Sequence, residues 1–376
     1  MASILTPRLL LRGFMIFVGI SVLGYAGLLI YGNNLPAFIQ AIGRIHWICI
    51  LAGLGLASMD WLGGGLRNWV LVRAVDKTPP LGGMILSGGM GAWAAYLTPF
   101  NSGAGPMMIY AMRRAGVPLP VAVTTALMSF IATVLFFAMA GPLAIKLGAG
   151  QALGQHGNVL GFTLYDLFIG SLGFFIGIGV VLVVVILFPN VFRRGLHWVA
   201  VRLSRRSRRI ADRIEGLTRG IDDAHRSVLA FNSPRGWIAL AWAVLLSGPS
   251  HANKLLAGYV ALRAVGIQAN FVDVLLVQTL ITFLLYFAPT PGASGIAEIL
   301  STAVMGSVYL PKELSPLYIL IWRSILSYFT LAFGFVVFWR WVHGRKKGTP
   351  ELAGDVALDD PVDLTEGTDR PAGAGA

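Results

Sequence analysis

A handful of ionisable and polar residues sit inside long apolar stretches of this chain, and their spacing limits the chemistry it can do. Asp60 lies about 15 residues into an apolar run, near its middle, with Arg67 seven residues further on and on the same helical face. Ser247, His251 and Lys254 recur at i, i+4 and i+7 with Asn253 beside them, just past Ser247-Gly248-Pro249-Ser250, a tetrapeptide that kinks a helix. Glu298 and Arg323 complete the set. An ionisable side chain at mid-bilayer costs about 2.5–3.5 kcal/mol, so each needs a partner, water or a function.

Two readings stand for most of them. Lys254 beside His251, with carbonyls freed by the kink, suits a phosphate or carboxylate headgroup; equally, it pairs with Asp60 or Glu298. Asp60 is a functional acid or half of a structural ion pair. Arg67 lies close enough to its span's end to snorkel. Glu298 falls in a first helical turn, where an acid complements the dipole, and Arg323 is placed to pair with it.

These residues need a membrane around them. Of 376 residues, 56% are apolar and 12% charged, against about 25% charged in a soluble domain. Apolar stretches run near Leu10–Gly32, Ile45–Leu66, Leu81–Leu97, Leu119–Leu147, Tyr165–Pro189, Trp237–Leu262, Phe271–Ala288 and Leu317–Trp341. Most approach the roughly 20 residues that cross a ~30 Å hydrocarbon core. Arg8 and Arg12 precede a first stretch longer than a signal-peptide core, so it reads as a span and not a cleaved leader. Cys49 is the only cysteine, which excludes an internal disulfide and a cysteine-based zinc site. The 29 Lys and Arg against 17 acids lie mostly beside spans, the positive-inside pattern, and not on a nucleic-acid face. The six histidines show no metal-protease spacing and no Gly-rich phosphate loop appears. The chain therefore reads as a non-enzyme with no cofactor.

Charge gives the topology. Arg8 and Arg12 put the N-terminus in the cytoplasm, as do Arg67, Arg73 and Lys77 for the second turn-round. The 193–235 stretch, with eleven Arg against four acids, and the Arg340–Lys347 end are also cytoplasmic. This works only if the segments after Lys77 and after Arg263 enter and leave by one face. Leu81–Thr98 ends at Thr98-Pro99-Phe100-Asn101-Ser102-Gly103-Ala104-Gly105-Pro106, and the return arm to Arg114 is too short to cross. That describes a re-entrant hairpin over 81–114; a full span would strand Arg113 and Arg114 outside.

Sliding the chain by 190 residues aligns Arg73-Ala74-Val75 with Arg263-Ala264-Val265, Tyr96 with Tyr286, Pro99 with Pro289 and Gly105 with Gly295, eight identities in 37 positions. A second hairpin follows over 271–310. The repeats have opposite orientation, so the hairpins approach from opposite faces. Inverted repeats with Gly/Pro-broken helices in matching places point to a transporter binding site, although a duplication without transport fits the same pattern. At the tips, Asn101, Ser102, Thr290 and Ser294 offer polar groups, and the helix starts after each break favour anions.

The motif from Thr98 to Pro106, with Ile109-Tyr110, Arg113 and Gly116-Val117-Pro118, resembles the first signature of flippase-like proteins, the lysylphosphatidylglycerol synthase transmembrane region family. Pro289-Thr290-Pro291-Gly292-Ala293-Ser294-Gly295 with Glu298 resembles the second, and Arg323 fits the last span. Ala104 and Ala293 stand where the family often has Gly. The resemblance covers roughly residues 10–342 and implies lipid translocation. No aminoacyltransferase domain follows, so lysylphosphatidylglycerol synthesis is not expected.

The expectation is thus an all-α bacterial or archaeal cytoplasmic-membrane protein: six full spans and two re-entrant hairpins in a 4+4 inverted repeat. Residues 1–147 form one repeat and 148–342 the other. Within 193–235, Ile210, Ile214, Leu217, Ile221, Ala224 and Val228 make an apolar stripe on a basic helix, expected to lie on anionic lipid. The acidic, Gly/Pro-rich tail over 343–376 is expected to be disordered. Membrane lipids are the expected partners, with a homodimer left open. The rival functions are an ion-coupled small-solute transporter and a lipid-modifying or accessory membrane protein.

Overall fold

The computed structural model describes residues 7–31, 35–75, 79–144, 146, 158–159, 162–187, 229, 231–286 and 288–343. The basic amphipathic helix expected over 193–235 and the acidic tail fall almost wholly outside these residues. The described part is helical apart from one two-residue antiparallel pairing, Asn158–Val159 with Phe162–Thr163.

In chain order the helices are α1 (Pro7–Tyr31), α2 (Leu35–Ile42), α3 (Trp47–Ala57), α4 (Met59–Val75), α5 (Leu81–Leu97), α6 (Ala104–Arg114), α7 (Leu119–Ala144), α8 (Leu164–Leu187), α9 (Pro234–Ser250), α10 (Ala252–Ala264), α11 (Phe271–Tyr286), α12 (Ile296–Val308), α13 (Ser315–Arg323) and α14 (Phe329–His343). A π-helical segment, Ser324–Tyr328, joins α13 to α14. Among the described residues, four stretches are long and apolar enough to cross a membrane: Leu10–Gly27, Trp47–Val75, Leu119–Leu143 and Lys312–Trp341. The 24-residue α8 carries one charge, Asp166, and α9 with α10 covers a further stretch broken at His251. The chain is a multi-pass α-helical membrane protein.

Local chemistry sets the helix ends. Ser233 caps α9 by accepting the Gly236 amide at 3.1 Å, with Pro234 at the first helical position, where its missing N–H costs nothing. Helices α6 and α10 end alike: the Val117 amide bonds the Met112 carbonyl at 3.1 Å, and the Ile267 amide bonds that of Leu262 at 2.9 Å. Gly116 and Gly266 take the left-handed position that such a stop requires.

Helices α5 and α6 form an antiparallel hairpin. Ala115 lies against Gly83 at its base, and Met108 against Gly91 further in. Its base belongs to the end of the bundle where Arg114 sits 5.2 Å from the Trp341 ring centre and Arg73 lies 4.9 Å from that of Trp69. Buried Trp93 ties α5 to α14: its Nε1 donates to the Leu331 carbonyl at 3.2 Å, and its ring stacks on Phe338. At the opposite end, the His46 amide donates to the Ala264 carbonyl at 3.1 Å.

The tightest packing lies along α4. Added Cβ atoms on Gly63 would sit 2.7 Å from the Ser250 amide nitrogen, and on Gly64 3.4 Å from the Gly88 Cα. Gly65 is equally pressed against the Ile85 backbone. With lipid on the outside, helices gain by close backbone approach, and small residues permit it. Three consecutive glycines let α4 touch α9 on one side and α5 on the other.

Gly63→Ala is therefore expected to lower stability by about 1–3 kcal/mol, the range for overpacking a close interface. Gly55→Ala, with nothing within 4 Å of the added methyl, should change little. Thermal unfolding of the purified protein in detergent compares the two.

Candidate functional site

The α3–α4 break places Asp60 in the first turn of α4, where the helix dipole favours a carboxylate. The break at His251 likewise starts α10 just before Asn253 and Lys254. The two breaks face each other. Lys254 Nζ lies 2.7 Å from Asp60 Oδ1, and Asn253 Nδ2 donates to Asp60 Oδ2 at 2.9 Å. Tyr96 Oη and Thr330 Oγ1 donate to the same oxygen at 3.0 and 3.2 Å. One carboxylate thus gathers donors from α4's neighbours α5, α10 and α14. A buried charge is tolerable only when paired and hydrogen-bonded, and Asp60 is both.

The pair is asymmetric. The Asp60 side chain is 2% exposed and that of Lys254 17%, because Lys254 also lines a cavity. This cavity, of about 40 Å³, is walled by Tyr96, Asn101, Tyr286, Gly292 and Ala293 among others. It has room for a few water molecules and not for a headgroup. Tyr96 and Tyr286, matched across the repeat, flank it together. A larger space of about 410 Å³ opens elsewhere, between His46, Trp47 and Arg263.

The two helix breaks form the remaining wall. Pro99–Asn101 and Pro291–Ala293 are single 3₁₀ turns packed on each other, and the Phe100 amide donates to the Ala288 carbonyl at 3.1 Å. Both turns hold consecutive left-handed residues: Phe100 and Asn101 in the first, Gly292 and Ala293 in the second. Phe and Ala pay about 1–2 kcal/mol each for that conformation. The second turn therefore lies two residues later than a gapless slide by 190 places it. Pro291, and not Pro289, is the structural counterpart of Pro99.

The tip hydroxyls fold back on their own turns. Thr98 Oγ1 donates to the Ala94 carbonyl and accepts the Gly103 amide, each at 2.8 Å. Thr290 Oγ1 donates to the Ser294 carbonyl and Ser294 Oγ to that of Pro291, both at 2.9 Å. Ser102 and Pro289 are exposed, and Asn101 is the polar tip residue that reaches the cavity.

Glu298 and Arg323 form the second buried pair, Nε to Oε1 at 2.9 Å, with side-chain exposures of 3% and 0%. Glu298 Oε2 accepts the Gly295 amide at 2.8 Å, so the protein's own carboxylate fills the anion position at the start of α12. Arg323 Nη1 donates to the Gly292 carbonyl at 3.1 Å, and its guanidinium lies 5.1 and 5.7 Å from the centres of the Phe17 and Tyr328 rings. This pair holds the second tip.

Three more of the expected residues lie apart from the cavity. His251 Nδ1 sits 2.8 Å from the Ser247 carbonyl and 2.9 Å from Ser250 Oγ, its ring among Phe136, Phe137 and Tyr286. The helix break at His251 undoes the i, i+4, i+7 alignment with Lys254. Arg113 reaches the Val117 carbonyl at 3.4 Å near the hairpin base. Arg67 does not snorkel; it turns inward onto hydroxyl groups. Tyr96, Thr330 and Tyr286 were not among the expected site residues. The Tyr96–Tyr286 repeat match was the available signal.

Among the described residues, no group of three or more His, Cys, Asp or Glu converges to hold a metal ion. No curated protein matches the sequence. The family model for the lysylphosphatidylglycerol synthase TM region matches residues 14–334, which takes in both helix-break turns, both buried ion pairs and the π segment. The chain belongs to the lysylphosphatidylglycerol synthase TM region family.

Proposed function

We propose that this protein moves a polar-headed lipid, or a lipid-linked intermediate, between the leaflets of the cytoplasmic membrane, and performs no covalent chemistry on it. The observation that carries this reading is Lys254: buried in an ion pair on one side, it faces a cavity lined by residues of both helix-break turns on the other. Ionisable groups within a membrane bundle mark substrate paths, and broken helices meeting in mid-protein mark binding sites. An anionic or zwitterionic headgroup offers a phosphate to Lys254. Asp60 keeps the hydrogen bonds of Tyr96, Asn253 and Thr330 when the lysine turns away, so the exchange leaves no bare charge.

On this reading α5–α6 and α11–α12 are re-entrant hairpins of an inverted repeat, the first entering from the cytoplasm and the second from outside. The contact of Ala115 with Gly83 supports the first. The matched left-handed turns support their equivalence. The cavity is too small for a headgroup in this conformation, so the tips must part to admit one.

Liposomes holding the purified protein and headgroup-labelled lipids of several classes test the function. At least one phospholipid class should cross faster than in empty vesicles, and Lys254→Ala should slow it by about tenfold or more, the scale of a lost charged hydrogen bond. No class crossing above background would refute translocation. Glu298→Gln, which breaks the second pair, should act on folding first. A loss of about 3–5 kcal/mol by unfolding in detergent is expected from a buried charge left alone. For topology, Ala115→Cys and Gly266→Cys, each in a Cys49→Ser background, should react with an impermeant thiol reagent from opposite faces of oriented vesicles. Labelling from the same face would rule out the inverted arrangement.

A further inference from the structure

Arg67 has no acid. It stands seven residues beyond Asp60 on α4, about 10 Å along the axis, and its Nη1 donates to Thr133 Oγ1 at 2.8 Å, Ser250 Oγ at 3.2 Å and Ser247 Oγ at 3.3 Å. Each hydroxyl spends its own hydrogen on a helix carbonyl, those of Ser129, Ala243 and Ser247. They meet the guanidinium only as neutral acceptors. Among the described residues no carboxylate lies within ion-pair distance, since Asp60 is taken by Lys254 and Glu298 by Arg323. Nε is buried without a hydrogen-bond partner, while the residue as a whole stays half-buried.

The cluster of Asp60, Lys254 and Arg67 therefore carries one positive charge too many for the middle of a membrane protein. A planar guanidinium held along Nη1, with Nε buried and unpaired, keeps hydrogens of the kind that a phosphate oxygen pair accepts. The same α9 that supplies Ser247 and Ser250 exposes Trp237, Ile238, Trp242 and Leu245 along its outer flank at 55–65%. Such a face lies against lipid, and tryptophan favours the headgroup level.

We infer that Arg67, cradled by Thr133, Ser247 and Ser250, is a phosphodiester site for a membrane lipid, occupied before the headgroup reaches Lys254. The inference rests on the lipid reading above and adds a second, separate station to it. The lipid's phosphate supplies the missing negative charge, and its chains stay on the α9 flank.

Binding is measured on the full-length protein in detergent by native mass spectrometry, with dioctanoyl phosphatidylglycerol, dioctanoylglycerol, glycerophosphate and inorganic phosphate as probes. The phospholipid should bind and dioctanoylglycerol should not. Arg67→Gln should weaken phospholipid binding by about tenfold or more, as for a lost charged hydrogen bond. Ser247→Ala/Ser250→Ala, which removes two of the three hydroxyls that hold Nη1 and leaves Thr133, should weaken phospholipid binding by a smaller factor than Arg67→Gln. Unchanged binding in folded Arg67→Gln overturns the site. If Arg67→Gln does not fold, unchanged binding in the folded double serine variant overturns it instead. Glycerophosphate or inorganic phosphate binding as tightly as the phospholipid overturns the lipid as its source. Arg67-dependent binding in a protein that flips no lipid would sink the translocation reading and leave this site standing.

Discussion

A carboxylate and an ammonium group meet in the centre of this bundle, 2.7 Å apart, and much of the architecture follows from making that contact tolerable. Neither charge could sit there alone. Asp60 is presented by the break between α3 and α4, and Lys254 by the break between α9 and α10. Gly63 brings α4 onto the Pro249–Ser250 backbone, so the two breaks can face one another. Gly64 and Gly65 bring in α5, and with it the Tyr96 hydroxyl. The helix interruptions, the glycine run and the choice of polar neighbours thus answer one electrostatic demand.

The second pair is the instructive contrast. Arg323 and Glu298 are closer to fully buried than Lys254, and their remaining bonds go to the Gly292 carbonyl and the Gly295 amide. Neither of them lines the cavity beside Lys254. They fasten the second tip, whereas Lys254 has a free side. A five-residue π segment begins directly after Arg323, and Asn253 reaches its Leu326 carbonyl at 3.4 Å. The two pairs are therefore mechanically linked through one irregular stretch of helix, a place where a bundle can flex.

Much of this was legible in the sequence, for reasons of physical economy. Polar residues are so costly in apolar helices that Asp60, Lys254, Glu298 and Arg323 stand out without any structure. Proline and glycine marked both helix-break turns. Partner choice was harder: Lys254 had Asp60 and Glu298 as alternatives, and a contact across 194 positions leaves no local trace. Arg67 near a span's end resembles any snorkelling arginine; only the convergence of Thr133, Ser247 and Ser250 from other helices distinguishes it. Tyr96 and Thr330 read as ordinary residues until Asp60 is placed beside them. The register of the second tip was misjudged by two residues because Pro289 and Pro291 both invite alignment with Pro99, and the left-handed backbone decides between them.

The account turns on the two tips parting to let a headgroup reach Lys254. Phe100 and Ala288 share a backbone hydrogen bond of 3.1 Å, so a bridge between cysteines at the two positions would hold the tips together. In a Cys49→Ser background, lipid movement in liposomes would be followed through oxidation and reduction of Phe100→Cys/Ala288→Cys. The account predicts that oxidation stops movement and reduction restores it. Movement at an undiminished rate with the bridge fully formed would contradict it.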